Sequence, residues 1–168
     1  MMATMPDLHP DIAALGFLLG QWEGTGAGKY PTIAPFAYRE RIAFGHVGKP
    51  FLSYTQRTSH PDTGAPMHAE VGYLRQPGAG RVELTLAQPN GVVETHAGTI
   101  DGTTLRLAST TVATTPTAKR VDAVERDIVV EGDVLTYALR MAAVGEPMTH
   151  HLSATLTRVP APTPHEGG

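Results

Sequence analysis

Eight histidines and no cysteine set the terms for any chemistry this 168-residue chain performs. Without thiols there is no disulfide, no thiolate metal site, no catalytic cysteine and no covalent C-x-x-C-H attachment of a cofactor. Imidazole is then the best soft ligand and acid–base group available. His150 and His151 are adjacent in "MTHHLSATLTRV", and His68 stands in "MHAEVGYLR". Zinc wants three or four clustered ligands. The histidine pair has no third histidine at matching spacing, although His68 and Glu70 could meet it in space. Carboxylates are scattered, with no two placed for glycosidase work. "GTGAGKY" lacks the spacing and preceding strand of a phosphate or dinucleotide loop, and no nucleophile elbow occurs. His9, His60 and His165 lie in polar surroundings and are assigned no chemistry.

The elements that must position these residues are mostly strands. After a flexible leader (1–10), "HPDIAALGFLLG" predicts one short helix, with Asp11 as its cap, Ile12, Leu15 and Leu18 on its buried face, and Gly20 as its stop. Beyond it the period is two. Phe36, Tyr38, Ile42 and Phe44 alternate with Ala37, Arg39, Arg41 and Ala43, and Val82, Leu84 and Leu86 alternate with Arg81, Glu83 and Thr85. "SHPDTGAP", "PNG", "DG", "EGD" and "VGEP" separate the runs as turns. About ten short strands joined by hairpins most economically close on themselves, because closure removes exposed edges. The expected fold is an all-β, antiparallel barrel of about ten strands, like the lipocalins and fatty-acid-binding proteins. Its short N-terminal helix precedes it, the barrel domain covers 11–159, and 160–168 form a disordered tail. Such a barrel is wider than one its own side chains fill, so it should hold a ligand.

Composition limits the partners. A net charge of -3 gives no basic footprint for nucleic acid. No apolar run approaches the roughly 20 residues that span a bilayer. The N-terminus lacks the basic and apolar regions of a secretory signal, and a cytoplasmic protein is expected.

The opening strand poses its own question. In "LLGQWEGTGAGKYPTI", Gly20, Gly24, Gly26 and Gly28 share one face with Trp22, the only tryptophan. Glycine inside a strand marks a bulge, a bend or a close approach by something else. Strong curvature, with Trp22 packed on the helix, accounts for the first part. It explains less of "GAGKYPTI", which ends at the expected barrel mouth.

One histidine in a roomy barrel suits a metal already held by a macrocycle, since haem needs only one axial side chain. Strict alternation puts His150 with Leu152, Ala154 and Leu156, and His151 with Ser153, Thr155 and Thr157. A bulge at Thr149–His150, or a polar interior near the ligand, would bring His151 inward instead.

Five segments in order, "GQWEGTGAGKYPTI", "HVGKPFLSYTQ", "MHAEVGYLR", "PTAKRVDAVERDIVVEGDVLTYALRM" and "HHLSATLTRV", resemble the nitrobindin family of haem-binding β-barrels. The resemblance spans about Leu15 to Val159 and is to the single-domain bacterial members. Their opening G-x-W-x-G-x-G pattern falls on Gly20, Trp22, Gly24 and Gly26. It implies one haem b per chain, held non-covalently through a histidine of the last strand. The His-Leu-x-Ala-x-Leu motif of that strand falls on His151, Leu152, Ala154 and Leu156. His151 is thereby implied as axial iron ligand and catalytic residue, and Thr32 in "YPTI" and Lys119 in "TAKRV" match haem-lining positions. An apolar distal side would leave the sixth iron position open without a strong proton donor. The implied activity is binding of nitric oxide at ferric iron and isomerisation of peroxynitrite to nitrate. Dimers occur in related proteins, so a homodimer is compatible. The alternative from another class is a lipocalin-like carrier of a fatty or aromatic molecule without catalysis.

Overall fold

The computed structural model describes residues 4–162. His165 and the rest of the expected tail from 163 onward lie outside the described residues. The chain runs through a 3-10 helix (Pro10–Leu18) and ten strands: β1 (Gly20–Tyr30), β2 (Ile33–Gly45), β3 (Leu52–Ser59), β4 (Pro66–Gly78), β5 (Arg81–Ala87), β6 (Val92–Asp101), β7 (Thr104–Thr114), β8 (Val121–Glu131), β9 (Val134–Ala143) and β10 (Thr149–Arg158). Each strand pairs antiparallel with its chain neighbours, and β1 pairs with β10, so the sheet closes into a barrel with no free edge. Two-residue turns make this meander cheap. Gly102 and Gly132 take φ of 57° and 60° in the β6–β7 and β8–β9 hairpins, a backbone region that side chains resist. Among the described residues no helix is long and apolar enough to cross a membrane.

The period-two pattern points Ile42, Phe44, Leu52, Leu74, Val82, Leu84, Leu105, Leu135 and Leu156 into one core. Fully burying such side chains contributes about 1.5–3 kcal/mol each. The helix closes one end, with Ile12, Leu15 and Leu18 wholly buried against Trp22. Trp22 donates its indole N–H to the Leu18 carbonyl at 2.9 Å. The helix cap differs from expectation. His9, not Asp11, is the capping residue, and its Nδ1 accepts the Asp11 backbone N–H at 3.1 Å. Pro10 follows as the first helical residue, where its missing N–H costs nothing. His60 serves similarly in the β3–β4 turn, accepting the backbone N–H groups of Asp62 and Thr63.

What approaches the glycine face is aromatic. Gly26 pairs with Tyr38 and Gly28 with Phe36 across the β1–β2 ladder. A Cβ at Gly26 would fall inside the Tyr38 ring, and one at Gly28 inside the Phe36 ring. A Cβ at Gly24 would strike the Thr155 carbonyl of β10. The glycines therefore let two aromatic rings lie flat over β1 on the interior side.

Candidate functional site

The barrel end far from the helix holds a cavity of about 350 Å³, within the range of small-molecule sites. Thr32, Lys119 and His151 all line it, although they come from the β1–β2 turn, the β7–β8 loop and β10. His68 and Leu152 share the wall.

A bulge decides which histidine faces in. Along β10, His150 pairs with Arg140 and Leu152 with Leu139, leaving His151 as the extra residue. The bulge sits one residue later than the Thr149–His150 position expected from sequence, and its effect is to break strict alternation. His150 is exposed, whereas His151 and Leu152 both reach the cavity. The expectation that alternation would aim His150 inward is thus overturned by the unpaired residue.

The His151 ring is held from three sides. Its Nδ1 lies 3.0 Å from the Lys29 carbonyl oxygen. That oxygen can only accept, so Nδ1 carries the proton and Nε2 keeps its lone pair. Lys29 is free for this role because it has no register partner in either β1 ladder. The rings of Tyr30 and Phe36 meet the imidazole edge-on at 5.3 and 6.2 Å between centroids. Tyr30 is itself pinned to β9, its hydroxyl accepting the Ala143 N–H at 3.0 Å and donating to the Met141 carbonyl at 3.1 Å. Burial pushes the His151 pKa below the ordinary histidine value; the Lys29 contact opposes this, and His150 and His68 add to it. A neutral imidazole with one nitrogen oriented by a carbonyl is the usual form of a histidine metal ligand.

Thr32 and Lys119 are exposed at the rim, where a hydroxyl and an ammonium can meet the acidic groups of a bound ligand. Arg120 is beside them but is paired with Asp122 at 2.8 Å. Among the described residues no group of three or more histidines and carboxylates could hold a bare metal ion. His68, Glu70 and His151 share the cavity without forming one.

The cavity floor is polar. Arg126 grips Glu70 with two hydrogen bonds of 2.9 and 3.0 Å and reaches Glu94 at 2.8 Å. Glu94 also meets His96 at 2.7 Å and Gln88 at 2.8 Å. Burial would raise the Glu70 carboxyl, but Arg126 and His68 outweigh it and hold it well below the usual range. Glu94 is likewise lowered by His96 and Arg126 against its burial. Beside this cluster, Glu40 accepts the Tyr137 hydroxyl at 2.6 Å and the Gln56 amide at 3.2 Å, and Tyr137 and Tyr38 hydroxyls lie 2.7 Å apart. Among the described residues no cation contacts Glu40, and burial raises its carboxyl from 4.5 to about 7 against the more distant pull of Arg126. The physical reason for the polar floor is mutual satisfaction: Glu70 and Glu94 share the Arg126 guanidinium, and Glu40 is held by neutral donors, the Tyr137 hydroxyl and the Gln56 amide. Parity in the sequence signals the inward direction of the floor's carboxylates, though not their meeting. Glu40 alternates with Tyr38 and Ile42, Glu70 with Leu74, and Glu94 with Val92 and His96, all on interior faces.

The comparisons with known proteins agree with this architecture. Residues 11–158 match the family model described as "THAP4-like, heme-binding beta-barrel domain". The chain is 56% identical over 155 residues to the peroxynitrite isomerase of Nocardia farcinica, covering 90% of this chain and 92% of that one. It is 51% identical over 156 residues to peroxynitrite isomerase 2 of Mycobacterium avium, covering 90% and 97%. The crystal structure of Rv2717c from M. tuberculosis superposes with a TM-score of 0.87 at 48% identity, covering 92% of this chain and all of that one. With a closed ten-stranded barrel, a cavity at its mouth and a match over nearly its whole length, the chain belongs to the THAP4-like haem-binding β-barrel family.

Proposed function

We propose that this protein is a peroxynitrite isomerase that holds one haem b per chain through His151 and converts peroxynitrite to nitrate. The supporting observation is the state of His151, half-buried in the cavity wall with its Nδ1 proton given to the Lys29 carbonyl. That leaves Nε2 as an unshared donor, which fits a group needing a single axial nitrogen. The names of relatives about half identical over nine-tenths of the chain support the reaction.

When bound, haem supplies a Lewis-acidic iron that accepts an anionic or diatomic ligand and weakens the peroxynitrite O–O bond. The other contributions are the chain's own. Tyr30 and Phe36 fix the imidazole plane. Lys119 and Thr32 offer a charge and a hydroxyl to the cofactor's propionates at the rim. Leu139, Met141, Val124 and Leu152 line the cavity with apolar surface and displace water from it. Nitric oxide would be a second small ligand of the bound haem.

The test is stopped-flow mixing of haem-loaded protein with peroxynitrite, reading its decay and the final nitrate yield. The wild-type protein is expected to raise both rate and nitrate fraction in proportion to bound haem. A haem-loaded protein that leaves the nitrate yield at the buffer value would contradict the assignment.

A further inference from the structure

The aromatic rings that the β1 glycines admit continue into a chain of hydrogen-bonded side chains. Phe36 lies between His151 and Tyr38, at centroid distances of 6.2 and 6.0 Å. Tyr38 lines the main cavity, and its hydroxyl is 2.7 Å from that of Tyr137. Tyr137 donates its one proton to Glu40 at 2.6 Å, so the Tyr38 hydroxyl donates to Tyr137 in turn. The chain therefore runs one way, from a phenol at the cavity to a buried carboxylate.

The other tyrosines lack this ending. Tyr54 donates to Glu70 at 3.0 Å, but that carboxylate already holds the Arg126 guanidinium through both oxygens and is a poor base. Tyr30 donates to a backbone carbonyl. Tyr73 is 50% exposed on the outer face. Of the two carboxylate acceptors Glu40 is the one with no ion pair among the described residues, and its burial makes it more basic than an ordinary carboxylate. Burial also raises the Tyr38 and Tyr137 phenols, so neither gives up its proton without an acceptor.

We propose that Tyr38, Tyr137 and Glu40 form a one-electron relay that reduces nitrogen dioxide radical in the cavity to nitrite. Peroxynitrite supplies this oxidant whenever its O–O bond breaks homolytically and the fragments fail to recombine. The electron leaves Tyr38 for nitrogen dioxide. The Tyr38 proton moves to the Tyr137 oxygen as the Tyr137 proton moves to Glu40. The sum is Tyr38 phenol, Glu40 carboxylate and nitrogen dioxide radical going to Tyr38 phenoxyl radical, Glu40 carboxylic acid and nitrite, with atoms, charge and electrons balanced. The relay keeps an escaped radical from leaving the barrel as a nitrating agent.

The test uses the full-length chain with no haem added and nitrogen dioxide radical generated directly by pulse radiolysis of nitrite solution, so that its outcome is independent of haem binding and isomerisation. The readouts are the visible absorption of the phenoxyl radical and the sites of 3-nitrotyrosine mapped by mass spectrometry. The wild-type protein is expected to form the phenoxyl and to be nitrated at Tyr38 or Tyr137 in preference to exposed Tyr73. Glu40→Gln, which keeps the shape but takes no proton, is expected to slow phenoxyl formation by about 100-fold, the lower end of what a positioned base contributes. Glu40→Asp should recover part of that rate, which a purely structural role would not require. Should Glu40→Gln fail to fold, Tyr38→Phe and Tyr137→Phe decide the same question, each expected to abolish the buried phenoxyl. Nitration confined to Tyr73, or a buried phenoxyl that survives either phenylalanine variant, would overturn the relay.

Discussion

The two ends of the barrel use the same alternating strands for opposite purposes. At the base, the helix, Trp22 and Arg158 fill the opening. Arg158 lies 4.1 Å over the Trp22 ring, donates to the Leu19 and Phe17 carbonyls, and pairs with Asp133. Every strong group there is spent on another part of the protein. At the mouth, the walls stop short of filling the interior, and His151 keeps a nitrogen that no group among the described residues uses. The difference teaches where stability and function separate in this fold. Substitutions at the base should unfold the barrel without altering its site, and those at the mouth should alter the site at little cost to folding. The polar floor lies between them and should do both.

The largest effect on stability is expected at that floor. Arg126→Met leaves Glu70 and Glu94 buried without their cation, at a cost of about 3–5 kcal/mol. The loss, read by urea unfolding, should be larger at neutral pH than in acid, where the carboxylates take up protons. Trp22→Ala should cost a similar 3–5 kcal/mol through the cavity it opens against Ile12, Leu15 and Leu18. Its haem titration should stay that of wild type, and a weakened site in this variant would break the separation of the two ends.

A smaller effect belongs to Glu40, which shares β2 with Tyr38 and faces Gln56 on β3, Glu70 on β4, Arg126 on β8 and Tyr137 on β9. Its carboxyl titrates near 4.5 when unfolded and about 7 when folded. Between those values the folded chain keeps a proton that the unfolded chain has lost. Stability from this residue therefore falls as pH rises through that window and is level above it. Glu70 and Glu94 run the other way, their contribution present above 4.5 and lost in acid. Glu40→Gln should flatten the decline, gaining up to roughly 3 kcal/mol over wild type at pH 8. Unfolding curves from pH 4 to 8 check this. The smallest effect is expected at the rim, where Lys119→Ala should weaken haem binding by under about 1 kcal/mol, and less in high salt.

Much of this molecule is legible in its residues. The ten strands follow from period-two runs and glycine-bearing turns, and Trp22 against the helix follows from the opening motif. The choice between His150 and His151 does not follow from periodicity, because one unpaired residue shifts a strand's parity without any mark in composition. The G-x-G-x-G face reads as curvature until its partners are known. Register alone reveals that Gly26 and Gly28 lie opposite Tyr38 and Phe36. The floor is legible only in part: parity points Glu40, Glu70 and Glu94 inward, but the residues are far apart in the chain, and barrel closure is what brings them and Arg126 together.

The central claim is that the β10 bulge turns His151, not His150, into the ligand of this cavity. Haem b titrated into His151→Ala and His150→Ala, followed through the Soret band, tests it most directly. His151→Ala is expected to lose stoichiometric binding while its strand signature in circular dichroism stays intact, and His150→Ala is expected to bind as wild type does. A bleached His150→Ala beside a His151→Ala that keeps its Soret band would contradict the claim and move the ligand by one residue.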